Sequence, residues 1–278
     1  MKFIKFLTLT YISILILETN QLKSETAINQ ESRFVKKTDL KKVSHQFAIE
    51  RLMETAKLFI GTPYKYNLLD QSKQEKVSIF FDKFDCVIYV ETMLALYMKE
   101  FLGTSVYNNL KKLRYRNRTV DYLHRNHYLS DWIINNSDIV ENVKIGIKTK
   151  FHIDFMSSHS KYYWQLKNNR KNIAEIRKRE RYLSRQDFFY IPQNKIHKYE
   201  KYIKHGDIIV FTTGIKGLDF SHVGFAYQKE DGIHLLHAST MHKKVIVTDE
   251  TISEYLFKIR RHNGIVLLRI KSFQNFID

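Results

Sequence analysis

The sequence predicts an α+β fold in which helices come first and an antiparallel sheet follows. Two observations carry that prediction: apolar residues recur at helical spacing in the first hundred residues, and Gly-rich punctuation separates short β-type runs after residue 206. A third is the 44% apolar content with 14% aromatics, which suits one large core.

The chain opens Met1-Lys2-Phe3-Ile4-Lys5 and continues with the uncharged stretch Phe6 to Leu17 before Glu18. A basic start followed by a short apolar stretch reads as a cleavable signal peptide, and twelve residues rising about 1.5 Å each are too few to span a bilayer. The organisation expected is a signal peptide over 1–22, a polar N-terminal segment over 23–45 and a single domain over 46–278, with a periplasmic location.

Phe47 to Ile60 places Leu52, Ala56, Phe59 and Ile60 at helical spacing and ends at Gly61-Thr62-Pro63. Val87 to Phe101 is a second helix, apolar enough to be central, with Asp85 at its N-cap and Cys86 in its first turn. Leu110 to Tyr190, rich in Arg, Asn and aromatics, reads as loops and short helices rather than sheet. Strands are expected at Asp207 to Thr212, His222 to Gln228, Ile233 to Ser239, Val245 to Thr248 and Ile265 to Ile270.

The net charge of +17 invites a nucleic-acid reading. The densest basic run, Lys161 to Arg185, instead reads as a solvated helical face, and for an exported protein the natural anionic partners are cell-wall and membrane surfaces, to which weak attraction is expected. Neither a nucleic acid nor a nucleotide cofactor is expected. One cysteine and scattered histidines give no metal-ligand spacing, so no metal is expected either.

Cys86 is the only cysteine, so it is either a buried small hydrophobe or a reactive thiol. A helix N-terminus favours the thiolate, because unpaired N–H groups point at it. The runs around His222 and His237 are joined by the even-length Lys229-Glu230-Asp231-Gly232, so facing residues sum to an odd number. His237 then shares the face of His222, within side-chain reach, while His234 points the other way. That is a cysteine nucleophile with a base and an orienting group.

At these residues the chain resembles the NlpC/P60 superfamily of papain-like cell-wall cysteine hydrolases, and within it the DUF1460, N-acetylmuramoyl-L-alanine amidase-like branch. The matching stretches are Gly61-Thr62-Pro63-Tyr64, Phe84-Asp85-Cys86 with Val90-Glu91, Arg114-Tyr115-Arg116, Arg125 to Ile133, Gly206 to Ile209, Leu218 to Gly224 and His234 to Ser239. The resemblance implies a papain-like fold with Cys86 as nucleophile, His222 as general base, His237 orienting it, and Tyr64 supporting the oxyanion site. It also implies hydrolysis of the amide between N-acetylmuramic acid and L-alanine in muropeptides through a thioester. A stem-peptide endopeptidase and a non-catalytic cationic wall-binding module are the alternatives.

The substrate-binding set expected around these groups is Arg114, Arg116, Arg125, His127, Asp85 and Ser221, the arginines as forks for a stem-peptide carboxylate. Structural salt bridges would account for the arginines equally well, and Trp132 reads as core. Val87-Ile88-Tyr89 and Lys65-Tyr66-Asn67 depart from the branch's usual residues and bear on specificity.

Overall fold

In a computed structural model that describes residues 44–272, the first helix, α1 (His45–Lys57), begins where the Ser44 hydroxyl accepts the Phe47 N–H at 3.2 Å. The expected signal peptide and all but the end of the polar segment lie outside the described residues. Helix α2 (Cys86–Leu102) is buried almost without a break from Ile88 to Met98, because its sequence is apolar on every side. It packs on α1, where the Tyr89 hydroxyl donates to the Ala56 carbonyl at 2.8 Å, and it ends at Gly103, whose φ of 67° suits a residue without a Cβ.

The longer helices that follow are α3 (Val106–Arg114), α4 (Leu129–Asn135) and α5 (Arg170–Leu183), with single turns at Phe155–Ser158 and Ile196–Tyr199. A last one, α6 (Ile252–Lys258), starts with a capping box between Thr251 and Glu254.

The strands are β1 (Val140–Asn142), β2 (Ile147–Thr149), β3 (Phe188–Pro192), β4 (Ile208–Thr213), β5 (Phe220–Lys229), β6 (Gly232–Ser239), β7 (Lys244–Thr251) and β8 (His262–Ile270). They form one sheet in the order β2-β3-β8-β4-β5-β6-β7, with β1 also on β8, and every pairing is antiparallel. The α+β class expected from the sequence is the class observed.

Strand alternation builds two cores. Ile208, Val210, Val223, Phe225, Leu236 and Val266 face α1 and α2, whereas Ile209, Phe211, Leu235 and Leu267 pack with Tyr255 and Leu256 of α6 on the other face. The middle of the chain corrects the sequence reading. It supplies β1, β2 and β3 to the sheet and the 14-residue helix α5. Strands of three to five residues carry too few alternations to show a period, and β1 and β3 are ordered by pairing with β8, far along the chain.

Candidate active site

The start of α2 is held by its neighbours on both sides. Tyr64 bridges to Phe84 in parallel, its N–H donating to the Lys243 carbonyl at 2.8 Å, and the Lys65 N–H donates to the Phe84 carbonyl at 2.9 Å. This ties the Gly61-Thr62-Pro63-Tyr64 segment against both the Cys86 segment and β7. Asp85 caps the helix in an extended conformation, accepting the Ile88 N–H at 2.8 Å. Cys86 is then the first helical residue, a half-buried free thiol.

His222 comes from β5 and His237 from β6. Its register with β6 pairs Phe225 with Leu236 and Tyr227 with His234, an odd sum, so Gly224 faces His237 and His222 lies diagonal to it. The histidine rings meet edge to face with centroids 4.8 Å apart, and His222 Nε2 lies 2.5 Å from His237 Nδ1. His234 is turned away, with Nδ1 2.9 Å from the Thr248 carbonyl. The Val223 N–H, one residue beyond His222, pulls the Cys86 thiol down. The Tyr64 segment and the strand that carries His222 thus both run to the start of α2, where Cys86 stands, and His237 adjoins His222.

Electrostatics in that place differ from the sequence expectation. Burial pushes the Cys86 thiol up to about 12, the adjacent Asp85 carboxylate pushes the same way, and the Val223 and Val87 N–H groups pull only partly back. The helix-start effect, worth at most about 2 kcal/mol, loses to desolvation. Burial also holds His222 well below its ordinary value, aided by His237, His262 and Arg261, and lowers His237 to about 3. The resting pair at neutral pH is thus thiol and imidazole. Asp85 itself is raised to about 6, chiefly by burial.

The expected carboxylate forks are occupied within the protein. Arg114 is 1% exposed, with Nε on Glu91 Oε2 at 2.8 Å and Nη1 on the Ser78 carbonyl at 2.9 Å. Arg116 donates to Asp131 at 2.6 Å, and Arg125 is paired with Asp70 and Glu75. Inward-facing guanidinium groups need carboxylates beside them, and each found one on its own chain. His127 likewise places Nε2 2.7 Å from the Tyr122 carbonyl. Ser221 Oγ is buried without a partner, and Asp85 is engaged as a cap. Trp132 is core, 3% exposed.

Three residues that the sequence reading passed over complete the cluster. His262, 1% exposed, lies parallel to His222 at 6.2 Å and 11°, and burial lowers it to about 4. Tyr255 stands edge-on to His237 at 5.5 Å, its hydroxyl raised to about 12 mainly by burial and within the electrostatic reach of Cys86. Arg261 precedes His262 and acts on Tyr64, His222, Tyr255 and His262 alike. The only sequence signal was a histidine opening the last strand. Among the described residues no group of three His, Cys, Asp or Glu side chains is placed to hold a metal.

The family model described as AmiA-like, N-acetylmuramoyl-L-alanine amidase-like, matches residues 54–265. A solved structure of an N-acetylmuramoyl-L-alanine amidase from Bacteroides uniformis ATCC 8492 is 33% identical with a TM-score of 0.76, covering 81% of this chain and 99% of that one. A Bacteroides fragilis structure provisionally called a xylanase is 36% identical with a TM-score of 0.72, covering 77% and 98%. A Legionella pneumophila protein described with DUF1460 is 21% identical with a TM-score of 0.62, covering 88% and 96%, a likeness of fold. No curated protein matches the chain.

Proposed function

The chain belongs to the N-acetylmuramoyl-L-alanine amidase-like family, and from that membership and the geometry of Cys86, His222 and His237 we infer that it is a cysteine amidase. Its bond is the amide between N-acetylmuramic acid and L-alanine in peptidoglycan fragments, and the fold is of the NlpC/P60, papain-like kind. Export of the chain to the periplasm, with residues 1–22 removed as a signal peptide, fits a wall substrate. The observation that carries the reading is the 2.5 Å contact between His222 Nε2 and His237 Nδ1 beside the capped start of α2.

When His237 Nδ1 accepts, His222 carries its hydrogen on Nε2 and keeps Nδ1 bare as the base. The Cys86 sulfur attacks the amide carbonyl carbon as its proton passes to His222. The tetrahedral oxyanion is received by the Cys86 N–H, which has no helical partner, and by the Tyr64 hydroxyl. The C–N bond breaks, His222 returns the proton to the alanine nitrogen, and a thioester remains. Water then attacks the thioester with His222 again taking the proton, which releases the muramic carboxylate and restores the thiol.

A glycosidase would instead need two carboxylates across a sugar. Here Asp85 caps α2 and Glu91 is buried against Arg114, which leaves neither for that role.

Digestion of defined muropeptides followed by mass spectrometry tests the reading. The wild type should release the intact stem peptide from the sugar, and Cys86→Ala should not. Cleavage between D-glutamate and the diamino acid would make the protein an endopeptidase, and undiminished turnover by Cys86→Ala would remove the cysteine mechanism.

A further inference from the structure

With Arg114, Arg116 and Arg125 occupied, one cation at the cluster stays uncommitted among the described residues. Arg261 is exposed, and its carbonyl accepts the Gly214 N–H at 3.2 Å, which pins the turn between α6 and β8 to the end of β4. The next residue, His262, stacks on His222, so the backbone carries Arg261 to the wall of the site. Its charge lowers the protonation of His222 and His262 and favours ionisation of Tyr64 and Tyr255, so four side chains around the thiol lie within its reach. Among the described residues it has no acidic partner, unlike Lys112, Arg179 and Arg269, which pair with Asp138, Asp131 and Asp207.

An unpaired guanidinium over a site whose thiol and imidazoles are neutral attracts an anion. In the amidase reading, on which this inference rests, the leaving amine is alanine followed by glutamate. The α-carboxylate of that glutamate lies six bonds from the scissile carbon, an extended distance of at most about 7 Å. We propose that Arg261 is a specificity residue of the cleft, taking a free carboxylate of the stem peptide on the leaving-group side of the scissile amide. It thereby fills the role the sequence had offered to Arg114, Arg116 and Arg125.

The test uses N-acetylmuramoyl-L-alanyl-D-glutamate and its counterpart in which the α-carboxylate is a carboxamide. Binding is measured calorimetrically to Cys86→Ala and to the same protein with Arg261→Gln or Arg261→Lys, and turnover of both compounds is measured with Cys86 intact. The Cys86→Ala protein should bind the carboxylate about tenfold to a hundredfold more tightly than the carboxamide. Arg261→Gln should bring that ratio close to one, and Arg261→Lys should keep part of it.

A ratio unaffected by Arg261→Gln, or equal binding of both compounds to Cys86→Ala, overturns the proposal. Because the binding arm needs no turnover, Arg261-dependent discrimination without cleavage sinks the amidase reading alone. Cleavage indifferent to the carboxylate sinks the Arg261 assignment alone.

Discussion

Asp85→Asn separates the two roles of the residue before Cys86. As a cap it accepts the Ile88 N–H at 2.8 Å, which asparagine does as well. As a charge it is buried, and its carboxyl moves from 3.8 to about 6. The folded carboxyl holds its proton more firmly than the unfolded one, so its contribution to stability is full below the unfolded value and is lost as pH rises through about 6. That rise is equivalent to about 3 kcal/mol in all, of which about 2 kcal/mol is lost between about pH 4.5 and pH 8. Urea unfolding at those two pH values should show Asp85→Asn gaining about 2 kcal/mol on the wild type at the higher pH relative to the lower. Asp219, also raised to about 6 by burial, titrates in both proteins and cancels. Removing the charge should also lower the pH at which iodoacetamide alkylates Cys86, since Asp85 is the second cause of its raised value. A difference in stability that does not change with pH, or an unmoved alkylation midpoint, would refute the reasoning.

Gly224→Ala would set a Cβ 2.8 Å from His237 Cβ and 2.9 Å from Leu235 Cδ1, so kcat should fall on the order of 10²-fold while circular dichroism stays native. Unchanged kcat would show that the Gly224 position does not constrain the histidine pair. His237→Asn should lower kcat by about 10²-fold or more with KM little changed, read by steady-state kinetics. With both histidines depressed, the rate of the wild type should show no loss of the base as pH falls from about 8 to 5, and a limb at the ordinary histidine value would contradict the burial argument. Glu91→Leu should cost about 3–5 kcal/mol by stranding buried Arg114, and Glu91→Leu with Arg114→Leu should cost much less; equal costs in denaturant titrations would count against a stranded charge.

What could be read from the sequence was local. The cap at Asp85 needs only its neighbours, and the shared face of His222 and His237 follows from loop parity and strand alternation, both fixed within one hairpin. The ionisation of Cys86 could not be read, because burial sums over α2, β5 and the Tyr64 segment, which converge only in the fold. The partners of the arginines escape the sequence for a related reason. Arg125 and Asp70 are 55 residues apart, and Arg114 and Glu91 are 23 apart, on different elements. Tyr255 and Arg261 sit in a stretch that reads as a connection between strands. Only the packing of α6 on the second face of the sheet turns it toward the histidines.

The protonated state of the lone thiol has a consequence for endurance. Peroxide and disulfide exchange act on the thiolate, and sulfenic acid is the first rung of a ladder whose upper steps are irreversible. A second cysteine that could rescue an oxidised Cys86 by forming a disulfide does not exist in this chain. A thiol held in its protonated form reacts with such oxidants more slowly than an ionised one would, although Cys86 is only half-buried. The same desolvation that makes the thiol reluctant to ionise would, in the amidase reading, slow its oxidation between turnovers.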